Sequence, residues 1–416
     1  MARPTLMPRG YPPRLRHAGH WADVVSLAPD GLVHGTIMPN CIDFAQLPSR
    51  SLLTAFALIM LSGWSGEAAA QGRGGQSERP ARSTRNILGG VPMSAADSAR
   101  QKIVARLDFD SYKELIRGLT EFGDREQGTP RNAAAVDWIE AQLQGWGYET
   151  ERVHYMFTPR GSDTPEPREQ VFATKWGSDV PGEMYIISGH MDGRGGGEAA
   201  NDDGSGTALV MEIARALSGP EIETARTIRF ALWNNEETGL NGARAYVEQR
   251  AELQGIEDPA GSGRYPEPKW LGMIQHDMML WDHGNPVTFN QALDADVDIE
   301  FQLNSVMAAE SAQLALVLLN ANRMFATDYP AVMSNAMSNT DSTPFMDLVP
   351  SVSLRENRRL YETGNRANPH WHQPTDLFVT FSDADFRLGF NAAQTTLAAV
   401  AKLVEAREVG ARAEGN

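Results

Sequence analysis

Four short stretches of this chain carry side chains suited to metal-assisted hydrolysis. The first is His190-Met191-Asp192, followed by Asn201-Asp202-Asp203-Gly204-Ser205-Gly206. A histidine offers a neutral nitrogen to a borderline-soft cation such as zinc, and an aspartate two residues on can hold the other ring nitrogen and fix its tautomer. Gly204 and Gly206 permit a tight turn that aims an aspartate back at the same point. The plainer reading is a glycine-rich turn whose aspartates cap a helix beginning at Thr207. The second stretch places Glu236 and Glu237 directly after 227–233, which reads as a buried strand. Two adjacent carboxylates there are costly unless something cationic faces them. One glutamate as a ligand and the other as the base for an attacking water meets that need; a solvated acidic turn is the competing reading. The third is His276-Asp277, with Asp282 and His283 close by as rivals for the same role. The fourth runs from Asn368 to Asp376 and holds His370 and His372, either of which is a ligand or a surface histidine, with Asp376 as an orienting partner. Two histidines and at least three carboxylates form the inventory for two divalent ions sharing a bridging carboxylate.

Such residues converge only if regular elements carry them. Ser111 to Glu114 spells a capping box, and Tyr112, Leu115, Ile116 and Leu119 follow on one helical face. A second helix opens at Thr129-Pro130 and presents Val136, Ile139, Leu143 and Trp146 before Gly147 stops it. Strands and helices then alternate: a β run 184–188 ending at Gly189-His190, a helix 207–217, a strand 227–233, a helix from 240 to about 250 and a strand 270–275. A closing helix covers 383–405, with Phe386, Phe390, Ala393, Leu397, Val400 and Val404 facing inward. This alternation predicts a three-layer α/β/α sandwich with a mixed, largely parallel central sheet. Ligands of open α/β sheets bind outside the carboxyl ends of the strands. His190, Glu236-Glu237 and Asp277 fall there.

Bulk properties narrow the function classes. The 416-residue chain carries a net charge of −16. Residues 1–90 hold nine arginines against five acids, so the remainder carries about −20. Nucleic acid and anionic membrane surfaces are poor partners for such a body. Cys41 is the single cysteine, which excludes a disulfide framework and a thiolate metal site, so any metal sits on His, Asp and Glu. Arg50 precedes the apolar run 51–61, and Ala68-Ala69-Ala70-Gln71 follows as a small-residue cleavage pattern. The run is short of the roughly 20 residues that span a bilayer. Residues 1–70 are therefore expected to be an N-terminal extension and signal peptide, with Met38 as an alternative start. Residues 71–96 are a Gly-, Arg-, Ser- and Gln-rich linker, and 97–410 a single catalytic domain. The product is an exported protein, periplasmic or extracellular, without stable membrane insertion; a monomer is the default.

Taken in order, these motifs resemble the bacterial secreted leucyl-type aminopeptidases of the zinc exopeptidase family numbered twenty-eight among metallopeptidases. The carriers are H-x-D at His190, N-D-D-G-S-G at Asn201, N-E-E-x-G-L at Asn235, Asp277 after a strand and N-P-x-x-H at Asn368, with the stretch from Arg125 to Tyr148 similar to the family's lead-in. Coverage is roughly 105–405. The resemblance implies two Zn²⁺ ions bridged by Asp202, with His190 and Asp277 completing one site and Glu237 and His372 the other. It implies Glu236 as general base for a metal-bridging water, and Asp192 as the residue that orients His190. Trp371 would help wall the substrate. The chain departs from the family where Ser342 replaces the histidine of an Asp-His pair beside Asp341, where no disulfide is possible, and at the insertion 252–269, expected as a cover for the site.

The leading expectation is hydrolysis of the N-terminal peptide bond of peptides with a free N-terminus, since an acidic site suits an α-ammonium. A carboxypeptidase of the same family is the alternative, because Arg355, Arg358 and Arg359 are able to read a carboxylate. A single-zinc glutaminyl cyclase-like enzyme and a degenerate, metal-free binding module on the same fold are the other readings.

Overall fold

The structure, a computed structural model, describes residues 93–281, 297–356 and 368–409. The expected signal peptide, most of the expected linker, Asp282, His283, Arg358 and Arg359 lie outside the described residues. Three helices lead in: α1 (Ala95–Val104), α2 (Phe109–Thr120) and α3 (Pro130–Gly145). Helix α2 begins two residues before Ser111. Asp108 is its N-cap and accepts from the Ser111 amide at 2.7 Å, while the Ser111 hydroxyl donates to Glu212 at 2.7 Å. An aspartate three residues upstream serves the free amides of the first turn as well as a serine does, so the spelled capping box lies inside the helix. Helix α3 matches its prediction, with Thr129 as N-cap and Pro130 in the first turn.

Eight strands then build the sheet in the order β1-β2-β5-β3-β6-β9-β7-β8. They are β1 (Glu149–Phe157), β2 (Glu166–Lys175), β3 (Val180–His190), β5 (Arg226–Trp233), β6 (Lys269–His276), β7 (Val297–Glu300), β8 (Ala331–Ser334) and β9 (Ser351–Arg355). Two-residue strands β4 (Ile222–Glu223) and β10 (Arg407–Glu408) pair apart from it. The central run β5-β3-β6-β9 is parallel, as are β7 and β8; β1, β2 and the β7–β9 contact are antiparallel. Helices α4 (Gly204–Leu217), α5 (Asn241–Arg250), α6 (Ala308–Phe325) and α7 (Asp383–Leu403) complete the sandwich.

Period-two alternation divides two cores. Ile228, Phe230 and Leu232 of β5 pack with α2, α3, α4, α6 and α7, whereas Ala231 and Trp233 face α5 on the other side. No helix among the described residues is long and apolar enough to cross a membrane.

Arg229 lies in the second core, buried in mid-strand. It donates to Tyr246 Oη at 2.6 Å and to Glu267 at 2.5 Å, and stands 4.1 Å from the centroid of Phe172. Glu267 ties down the 252–269 insertion. That insertion lies at the amino-terminal ends of the strands, where Tyr265 fills the space beside Gly182 at the start of β3. It does not cover the site, because the segment leads into the amino-terminal end of β6 whereas the candidate ligands gather at the carboxyl ends of the strands. Glu267→Ala is expected to destabilise the fold by about 3–5 kcal/mol, since an unpaired buried guanidinium remains. A fall in the urea midpoint at constant slope checks this; a change within error would mean that Arg229 finds other partners.

Candidate metal centre

Three neighbouring parallel strands end at one place. β3 ends on His190, β5 runs into Asn234-Asn235-Glu236-Glu237, and β6 is followed by Asp277. Asp202 arrives from the turn before α4, and His372 from the segment before α7. The ligand atoms of His190, Glu236 and Asp277 lie within 4.8 Å of one another, and so do those of Asp202, Glu237 and His372. Asp202 joins the two groups: one carboxylate oxygen is 3.3 Å from His190 Nε2 and the other 3.0 Å from His372 Nε2. Glu237 is 2.9 Å from His372 Nε2, and Asp277 is 3.9 Å from His190 Nε2. Glu236 thus stands with His190 and Asp277. Trp371 and Asn339 complete the lining of the narrow cleft. A roomier hollow of about 430 Å³ beside Thr129, His154 and Arg168 offers no such group of ligands.

The neighbourhood of these side chains decides which candidates take part. His276 turns into the core, where its ring meets the Ser188 carbonyl at 3.0 Å and the Thr396 hydroxyl at 2.8 Å; burial pulls its pKa down to about 4. His370 packs between Trp281 and Phe381, away from the cluster. His190 Nδ1 faces the backbone oxygen of Asp192 at 3.0 Å, whereas the Asp192 carboxylate is 3.8 Å away. That carboxylate accepts from the amides of Glu236 at 3.0 Å and Glu237 at 3.4 Å, so it also holds the strand end that bears both glutamates. Asp203 does the same for His190 and Met278, accepting from each amide at 3.1 Å while capping α4 through Gly206. Gly206 has no left-handed backbone. A Cβ there would meet the Asp203 carboxylate at 2.5 Å and the His276 carbonyl at 2.6 Å, so the glycine supplies space rather than a turn.

Sequence reasoning gave no role to Arg125 or Glu356. Arg125, fully buried, donates to the carbonyls of Met191, Glu198 and Ala199 at 2.7–2.8 Å and so frames the loop that carries Asp202. Glu356 accepts from Asn201 Nδ2 at 2.9 Å and from the Trp281 amide at 2.6 Å. An arginine ringed by carbonyls is a contact pattern, and no local sequence signal announces it. Arg355 donates to Asp277 at 2.9 Å, so its guanidinium is already engaged by a candidate ligand. Ser342 is hydrogen-bonded to Ser353 at 2.6 Å, and both oxygens of its neighbour Asp341 are buried without a hydrogen-bond partner.

Electrostatics test whether a divalent cation fits. Burial pushes Glu237 up to about 7, with the charge of Asp202 adding to it, and Glu236 rises well above the usual carboxylate range for the same first reason. Burial opposes protonation of His372, but its contacts with Asp202 and Glu237 outweigh this and lift it to about 9. Glu237 Oε1 is buried without a hydrogen-bond partner. So many carboxylates crowded around two imidazoles satisfy one another poorly on their own. Oxygen and imidazole donors in two adjoining groups suit two borderline divalent ions.

Fold and site together define an α/β sandwich with a candidate metal centre at the carboxyl ends of its central parallel strands. The chain belongs to Peptidase family M28, whose family model matches residues 171–394. It is 31% identical over 175 residues to a probable zinc metalloprotease of Leptosphaeria maculans, covering 37% of this chain and 40% of the relative. It is 28% identical over 138 residues to leupeptin-inactivating enzyme 1 of Streptomyces exfoliatus, covering 32% and 30%. The matched stretch thus spans well under half of these relatives. In fold it is similar to an aminopeptidase from Aneurinibacillus sp. strain AM-1, with a TM-score of 0.55, 17% identity and coverage of 76% of this chain and 98% of the other. A glutaminyl cyclase of Porphyromonas gingivalis has a TM-score of 0.55 at 19% identity, covering 72% and 99%.

Proposed function

We propose that this chain is a two-zinc aminopeptidase that hydrolyses the N-terminal bond of peptides with a free N-terminus. The observation that carries the reading is Asp202, whose two oxygens each face a different histidine. One ion would sit on His190, Asp277 and Asp202, the other on Glu237, His372 and Asp202. Bound there, the ions supply Lewis acidity toward the scissile carbonyl and lower the pKa of water. Glu236 accepts a proton from the attacking water and returns it to the departing amine nitrogen as the C–N bond breaks. Asp192 keeps the Glu236 backbone in place, and Trp371 walls the cleft. The acidic surroundings receive an α-ammonium. Arg355 is occupied by Asp277, which weighs against a carboxypeptidase. We also propose export, on the apolar run and cleavage pattern of residues 51–71, and a monomeric state.

Aminoacyl-p-nitroanilides are expected to be cleaved while N-blocked dipeptides are not; the reverse preference would make the enzyme a carboxypeptidase. Zinc content near two per chain is expected, whereas a value near one, with cyclisation of N-terminal glutamine, would favour the cyclase.

A further inference from the structure

Asp376 lies four residues beyond His372 and is buried, with 2% of its surface exposed. Its carboxylate does not reach either histidine of its own segment. Instead each oxygen accepts one backbone amide from the opposite loop: Asn201 N at 2.8 Å and Asp202 N at 3.1 Å. Its backbone oxygen accepts from the Glu198 amide at 2.9 Å, a third tie between the same two segments. The loops also touch at Gly195, whose φ is +103° and where a Cβ would come within 2.6 Å of the His372 carbonyl carbon.

We propose that Asp376 is a positioning residue that sets the register between Asp202 and His372, and thereby the zinc affinity of the Glu237–His372 half of the centre. The proposal rests on the two-zinc reading. The other half shares Asp202, but its two remaining ligands, His190 and Asp277, stand at the ends of adjacent strands already fixed by the sheet. The Glu237–His372 half takes His372 from a segment outside the sheet and Asp202 from a turn, so nothing in the sheet holds their separation. Metal sites tolerate ligand displacements of only about 0.2 Å. A carboxylate accepting two amides from one loop, on a backbone rooted in the other, supplies that constraint.

The test is zinc titration of the purified full chain against a chromophoric chelator, first on the wild type and then on Asp376→Asn. The amide keeps one acceptor and turns a donor toward the second amide. The wild type is expected to bind two zinc ions. In the variant the affinity for one ion should fall about 10–100-fold, while the other changes little. Asp376→Glu keeps both oxygens on a longer arm and should fall between the two; it replaces the asparagine variant if that one does not fold. A merely structural residue would lower the thermal midpoint of the metal-free protein and leave both affinities alone, and that result overturns the proposal. So does an equal fall at both ions. A wild type that binds fewer than two ions defeats the two-zinc reading itself, before any variant is compared.

Discussion

Glu236→Gln is expected to lower kcat by about 10²- to 10⁴-fold while two zinc ions remain bound, the range over which a positioned general base contributes. Glutamine matches the shape of glutamate, so the amide of residue 236 still donates to Asp192 at the end of β5. What disappears is the ability to take a proton. Glu236 lies within 4.8 Å of the ligand atoms of His190 and Asp277, close enough to act as a ligand itself. Zinc analysis of the variant separates the roles. Lost rate with two ions retained marks a base; loss of one ion along with the rate marks a ligand. An unchanged rate would discard the hydrolytic mechanism.

Removing the metal is expected to abolish activity reversibly and to make stability strongly pH-dependent. In the metal-free chain Glu237 is raised to about 7 by burial and His372 to about 9, where its carboxylate contacts prevail over burial. A raised pKa means that the folded state holds a proton which the unfolded chain has released. For Glu237 the stabilisation is therefore full below its unfolded value of about 4.5 and is lost as pH rises through about 7. For His372 it is full below about 6.5 and lost as pH rises through about 9. Both act in one direction. The Glu237 contribution is on the order of 3 kcal/mol; that of His372, more open to water, is smaller. Chelated protein should thus melt at progressively lower temperature from about pH 6.5 to pH 9, above the range in which buried His276, with its pKa pulled down to about 4, acts in the opposite direction. Zinc should restore the midpoint most at the alkaline end, where its ligands are already deprotonated. A chelated protein whose midpoint is flat or rises over that interval would contradict the arrangement of charges described here.

Residues whose role is set by their own strand were legible from the chain alone. His190 and Asp277 follow apolar runs bounded by glycine or a charge, and strand ends are where an α/β sheet binds its ligands. Glu236 and Glu237 announced themselves as adjacent acids after a buried strand. Residue type and spacing alone left His370 and His372 undivided, because two histidines separated by one residue share the same local signal; only the resemblance of the N-P-x-x-H motif pointed to His372. Their fates diverge through contacts with Trp281 and Phe381 on one side and Asp202 on the other. Short strands such as β7 and β8, four residues each, offered too few positions for a period to show. The insertion 252–269 was expected over the site and lies at the opposite ends of the strands, since composition does not encode which edge of a sheet a loop meets.

By itself, then, the chain's order of residues determined which side chains are able to hold a cation, and that strands and helices alternate to carry them. Both are local properties, readable from side-chain chemistry and the periods of strand and helix. Only the tertiary structure decided which oxygen of Asp202 faces which histidine, that Asp192, Asp203, Glu356 and Asp376 hold backbone rather than metal, and that Arg125 frames the loop. Those outcomes depend on segments up to 175 residues apart meeting within hydrogen-bonding distance. Distances of that kind follow from how whole layers pack, which no window of sequence contains.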